Sequence, residues 1–105
     1  MGKMRIEIPY EKVTEFCKKW KIKELSLFGS VLREDFGPES DVDVLVGFAP
    51  DADWSLFDHV RMEEELEAIL GHEVDMVPRR AIERSENWIR RKAILESAVP
   101  YYVER

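Results

Sequence analysis

The stretch from Asp41 to Phe48, DVDVLVGF, constrains the fold more than any other. Val42, Val44, Val46 and Phe48 recur at every second position, the period of a β-strand with one face in a core. The same alternation puts Asp41 and Asp43 together on the opposite face. A shorter pattern of the same kind, Glu73 to Val77 (EVDMV), sets a third acid, Asp75, between Val74 and Met76. An unpaired carboxylate in a central strand is costly to bury, and two on one face repel each other. Two otherwise apolar strands carrying three acids therefore need a common compensating partner.

The rest of the chain supplies helices around these strands. Pro9 precedes YEKVTEFCKKW, where Val13, Phe16, Cys17 and Trp20 recur at helical spacing. Glu24 to Phe28 (ELSLF) alternates, with Leu25 and Leu27 on one side, and is broken by Gly29-Ser30. Val31 to Phe36 suits a short helix and GPES a turn. After the loop APDAD, with Asp53 as N-cap, Trp54 to Leu70 reads as a helix whose apolar set includes Leu56, Phe57 and Val60 and whose C-cap is Gly71. Trp54 and Phe57 are expected to pack this helix on the sheet. A last helical region runs from Ile82 to Ala98, with Trp88, Ile89, Ile94 and Leu95 apolar, and Pro100 ends it. The order α-β-α-β-α-β-α predicts a small α/β (α+β) fold. It has about three strands in a mixed sheet, four helices, and cover mainly on one sheet face. The relative direction of the first two strands stays open. At 105 residues the chain is expected to form one domain, residues 1–105.

Composition excludes several classes of function. One cysteine, Cys17, rules out an internal disulfide and a cysteine-cluster metal site; its place on a helix's apolar side predicts a buried thiol. His59 and His72, thirteen residues apart, make no zinc motif and are expected at the surface or rim. The start MGKMRIEIPY lacks the apolar region of a signal peptide, and no stretch is long and apolar enough to span a bilayer. A cytoplasmic protein without membrane contact is expected. The net charge of −6 argues against direct nucleic-acid binding. Charge is also uneven: Glu34 to Asp75 holds fourteen acids and one base, Arg61, while Arg79 to Lys92 holds six bases and two acids. The basic segment reads as a solvated helix face, or as a face that binds an anion or docks an acidic partner. Absence of Gln, a single Asn and a charged fraction of 36% resemble a heat-adapted composition.

Three oxygen-only acids on two strands suit Mg²⁺ or Mn²⁺, which share their coordination with substrate phosphates. Gly29-Ser30 follows a strand and opens a turn. Glycine lets backbone approach an anion closely, and N–H groups at a helix start, with the Ser30 hydroxyl, can hold phosphate oxygens.

The segment L27-F28-G29-S30, ten further residues and D41-V42-D43 together resemble the G-S-x10-D-x-D pattern of the nucleotidyltransferase superfamily that includes DNA polymerase beta and kanamycin nucleotidyltransferase. The short length, Ser40 before the first Asp, EVDMV downstream and the ending RKAILESAVPYY are similar to its minimal branch, the MNT domain proteins, which pair with HEPN-domain proteins as antitoxin and toxin. From about Tyr10 to Tyr102 the resemblance covers nearly the whole chain. It implies that Gly29 and Ser30 grip the β- and γ-phosphates of ATP, with Arg33, at a position often basic in this branch, helping. It implies that Asp41 and Asp43 bind two Mg²⁺ ions, Mn²⁺ being an alternative. Asp75 would share a metal and help deprotonate the attacking hydroxyl. Val31 stands where many members carry Arg, and Glu34 and Asp35 where small residues are common. The activity implied is transfer of AMP from ATP to a hydroxyl, a tyrosine of a cognate HEPN toxin. Two other readings stand beside it: an antitoxin that neutralises by binding alone, and a small-molecule nucleotidyltransferase of the aminoglycoside type.

Overall fold

The computed structural model describes residues 9–29 and 40–104. Along them run α1 (Tyr10–Lys19), β1 (Ile22–Phe28), β2 (Val42–Phe48), α2 (Leu56–Leu70), β3 (Val74–Pro78), α3 (Arg79–Glu83), α4 (Trp88–Ser97) and β4 (Val99–Val103). The expected helix over Val31 to Phe36 lies outside the described residues.

Four strands form one sheet in the order β3-β2-β1-β4. β1 is antiparallel to β2 and to β4, and β2 is parallel to β3, with α2 as the crossover that parallel neighbours require. Leu25 pairs with Val46 and Leu27 with Val44, while Val42 and Val44 pair with Val74 and Met76. These residues share the face that α1 and α2 cover. Val13, Phe16 and Cys17 from α1 and Met62, Leu66 and Leu70 from α2 complete the main core with them. Each fully buried aliphatic side chain of this set contributes about 1.5–3 kcal/mol. The opposite face carries a smaller cluster, Phe28, Leu45, Ile82 and Ile94, under α3 and α4. One well-covered and one lightly covered face match the expected layering.

The structure corrects four sequence expectations. The sheet has four strands rather than three. Val99–Val103 pairs with β1, and Pro100, read as a helix stop, sits inside this edge strand. A missing N–H is tolerated there because an edge strand has one unpaired side. The C-terminal helical region is two helices, since Asn87 caps α4 by accepting a bond from the Arg90 N–H at 3.1 Å. α2 starts at Leu56, not Trp54, and its N-cap is Ser55 rather than Asp53. Ser55 and Asp58 form a reciprocal capping box. Finally, Leu56, Phe57 and Val60 on α2, and Trp88 and Ile89 on α4, are exposed rather than packed. Trp54 does pack as expected: its indole N–H donates to the Trp20 carbonyl at 2.8 Å and its ring meets Trp20 edge-on.

β3 lies at one edge of the sheet, and its outward N–H groups are not left to solvent. The Val74 N–H donates to Glu67 at 3.0 Å and the Met76 N–H to Glu63 at 2.8 Å. Two acids of the acidic middle thus close a sheet edge, a place where unpaired backbone invites association. Glu63→Ala should orphan the partly buried Met76 N–H and cost about 1–3 kcal/mol in thermal or denaturant unfolding. Glu63→Gln keeps an acceptor oxygen and should recover most of that loss.

Cys17 is fully buried, as its spacing predicted, and burial pushes its thiol up to about 12. The folded chain therefore holds the proton. This contribution to stability is fully present below the ordinary thiol value of 9.0 and is lost as pH rises toward about 12. A thiol reagent at neutral pH should leave Cys17 unlabelled until the chain unfolds, whereas rapid labelling of native protein would contradict the packing.

Candidate active site

The two acid-bearing strands are neighbours, and their register decides what they can do together. Asp43 on β2 pairs directly with Asp75 on β3. In a parallel pair, residues in register point to the same face, with strands about 4.8 Å apart. Both carboxylates thus leave the sheet side by side, on the lightly covered face. Asp41 precedes the first residue of β2, two positions before Asp43. Asp41 and Asp75 are exposed and Asp43 is half-buried.

The antiparallel register of β1 and β2 brings a second component. Phe28 pairs with Asp43, so the next residue, Gly29, arrives beside that carboxylate. Gly29 has φ +74°, a left-handed conformation that glycine adopts without strain. A Cβ at this position would run into the Asp43 Oδ2 and stand 3.2 Å from its Cγ. Bare backbone therefore lies against the central acid of the D-x-D pair. Ser30 and Arg33, the other expected phosphate contacts, lie outside the described residues, as do Val31, Glu34 and Asp35.

His72 was expected at a rim and is half-buried at the mouth of the same strands. Its Nδ1 stands 3.2 Å from the Ser40 carbonyl oxygen. A carbonyl can only accept, so Nδ1 carries the proton in this contact. Together with the Val42 N–H to Glu73 carbonyl bond of 2.8 Å, it ties the start of β3 to the residue just before Asp41. A lone histidine before a strand gives no sequence signal for this link.

The donor set is three carboxylates beside exposed backbone, the chemistry of a hard divalent cation bridging to phosphate. Among the described residues no three acid, histidine or cysteine side chains are drawn into a ready-made cage. The backbone juxtaposes Asp43 and Asp75 and leaves Asp41 at the mouth; like charges on neighbouring strands repel, and a cation between them offsets that. The register and the oxygen-only donors fit such an ion.

A cleft of about 780 Å³ lies elsewhere, around the far ends of β2 and β3, with Gly47, Trp54, Pro78, Arg80 and Arg84 in its wall. It contains none of the three acids. Part of the basic segment is committed to contacts within the chain. Arg79 bonds Glu24 at 3.0 Å and Glu83 at 3.3 Å, and the Arg91 guanidinium donates to the Ser85 carbonyl at 3.0 Å. Gly47 makes room for this, since a Cβ there would stand 2.9 Å from the Glu24 Cγ. The basic face expected over Arg79 to Lys92 is thus narrower than its sequence suggests.

The sequence profile of the nucleotidyltransferase domain family matches residues 10–101. The chain belongs to that family. Two candidate protein adenylyltransferases of Methanocaldococcus jannaschii are 38% and 39% identical to this nucleotidyltransferase-family chain over 64 and 74 residues, 61% and 70% of its length. Those stretches are 64% and 77% of the relatives. The protein adenylyltransferase MntA of Thermococcus cleftensis is 40% identical over 63 residues, 60% of this chain and 62% of that protein. The chain thus matches less than two thirds of the length of two of these relatives.

Among solved structures, a candidate minimal nucleotidyltransferase aligns with a TM-score of 0.67 at 33% identity, covering 88% of both chains. A chain of a toxin–antitoxin complex with AMP-PNP aligns with a TM-score of 0.70 at 18% identity, covering 93% of this chain and 76% of that one. A chain of the complex between a tri-AMPylated Shewanella oneidensis HEPN toxin and its MNT antitoxin gives 0.60 at 19%, covering 90% and 69%. At such identities these two complexes show a shared fold. Among the described residues no helix is long and apolar enough to cross a membrane.

Proposed function

We propose that this chain is a single-domain nucleotidyltransferase of the cytoplasm. It moves AMP from ATP to a tyrosine hydroxyl of a cognate HEPN toxin and thereby acts as an antitoxin. The observation that carries the reading is the register of Asp43 with Asp75, with Gly29 backbone against the Asp43 carboxylate. The names of the relatives support a protein acceptor: MntA of Thermococcus cleftensis is a protein adenylyltransferase, and the Shewanella oneidensis toxin bound by its MNT antitoxin carries three AMP groups.

In this reading Gly29, Ser30 and Arg33 hold the β- and γ-phosphates, and Gly29 lets the chain approach them because it presents no side chain. Asp41, Asp43 and Asp75 would hold two Mg²⁺ ions, with Mn²⁺ able to substitute. Bound there, the ions supply charge neutralisation for the attacking and leaving oxygens of an in-line displacement. The acceptor oxygen attacks the α-phosphorus, the bond to the β-phosphate oxygen breaks, and pyrophosphate leaves. Asp75, exposed at the sheet surface, takes up the hydroxyl proton. Because the acids open on a lightly covered face, an acceptor on a partner's surface can reach them without entering a deep pocket.

The test is intact-mass spectrometry. The chain, ATP and Mg²⁺ are incubated with a HEPN protein encoded beside it, and separately with a panel of aminoglycosides. The HEPN protein should gain mass in steps of one AMP, on tyrosine. Efficient turnover of an aminoglycoside with the protein unmodified would overturn the protein-acceptor reading. Toxin neutralisation with no mass change on any substrate would leave an antitoxin that works by binding.

A further inference from the structure

Two helix starts expose apolar side chains that the monomer does not use. On α2, Leu56 is 78% exposed, Phe57 88% and Val60 47%. On α4, Trp88 is 60% exposed and Ile89 65%. Single exposed apolar residues are ordinary, but adjacent groups including a Phe and a Trp mark interaction surfaces. Their electrostatic settings are opposite. α2 carries five acids against one arginine, Arg61; Glu63 and Glu67 bond the β3 edge, Asp58 the helix cap and Glu65 Lys19, while Glu64 on α2 and Asp53 in the loop before it are exposed beside the patch. α4 carries Arg90, Arg91 and Lys92 against one acid, Glu96, in its last turn. Just before α4, Arg84 and Glu86 are both exposed, which leaves the surround of Trp88 and Ile89 basic on balance.

We infer that the start of α2 in one copy of this chain docks on the start of α4 in a second copy. Each patch is the chemical complement of the other: an apolar centre in an acidic surround meets an apolar centre in a basic one. Burying Phe57 and Trp88 supplies on the order of 150–250 Å² each. Two such contacts related by a two-fold axis bury about 300–500 Å² per partner from these two rings alone, and Leu56, Val60 and Ile89 add to this toward the roughly 800 Å² per partner of a standard interface. Neither patch contains Gly29, Asp41, Asp43 or Asp75, so the contact uses none of the candidate site's residues. Aromatic anchors in a desolvated centre carry most of the energy of such contacts, while the charged surrounds govern rate and salt dependence.

Sedimentation equilibrium on the full chain, at low and high salt, tests this. The wild type should pass from monomer to dimer as concentration rises, less readily at high salt. Phe57→Asp and Trp88→Asp should each weaken association roughly tenfold or more while keeping the wild-type circular dichroism spectrum. A mixture of the two variants should associate where neither does alone. The Trp88 variant still has an intact α2 surface, and the Phe57 variant an intact α4 surface, so one contact is restored. A wild type that stays monomeric at every concentration overturns the inference. So does a mixture that fails to associate, or one variant that dimerises like wild type, since pairing would then be α2 with α2 or α4 with α4.

Discussion

Asp43→Asn is expected to lower AMP transfer by roughly 10²–10³-fold or more, the scale at which removing one electrostatic contact at a reacting centre is felt. Asp43 is the acid on which two other components converge: it pairs with Asp75 across the parallel strands, and Gly29 lies against it. In the proposed mechanism, losing its charge removes a shared ligand rather than a peripheral one. The substitution preserves shape, and the valines around it stay buried on the other face, so the fold should survive. The metal-free variant should melt close to wild type, because the lost charge also ends repulsion with Asp75. Mn²⁺ binding followed by electron paramagnetic resonance should weaken in parallel with transfer. Wild-type transfer by the variant would remove Asp43 from the chemistry.

Gly29→Val is expected to fail twice over. The position is left-handed, where a β-branched side chain costs on the order of 1–3 kcal/mol. The new Cβ also runs into the Asp43 carboxylate, which must move to admit it. Thermal unfolding should fall by several degrees, at about 4–8 °C per kcal/mol for a domain near this size. ATP binding should fall further than stability alone explains, because side-chain atoms now occupy the space in which the proposed mechanism has backbone meet phosphate. Ser30→Ala is the milder comparison, costing about 1–2 kcal/mol of triphosphate binding, the scale of one bond to a charged group. A Gly29 variant that binds ATP like wild type would remove the phosphate-grip assignment.

What was legible in the sequence was local. The alternation of Val42, Val44, Val46 and Phe48 announced β2 and the face of its acids, because a strand's period is written in successive residues. Gly29-Ser30 and the two acids announced a candidate site by spacing. That Gly29 abuts Asp43 was not legible: it follows from the antiparallel register of Phe28 with Asp43, a tertiary fact. β4 was hidden for a similar reason. VPYYV follows a helical run and contains a proline, and β1 supplies the pairing that makes it a strand. Phe57 misled because helical periodicity finds an apolar face but not whether anything covers it. Here Met62, Leu66 and Leu70 took the core side and left Leu56, Phe57 and Val60 outside. The acidic middle likewise hid a tertiary role, since Glu63 and Glu67 accept from the N–H groups of the β3 edge.

The most direct test of the central claim is the fate of the phosphates. The chain, Mg²⁺ and the cognate HEPN protein are given ATP labelled either at the α-phosphate or at the γ-phosphate. Nucleotidyl transfer predicts that α-label alone appears on the HEPN protein, that γ-label leaves as pyrophosphate, and that Asp43→Asn abolishes both signals. Label from the γ-phosphate on the acceptor, or α-label transfer undiminished in Asp43→Asn, would contradict the account.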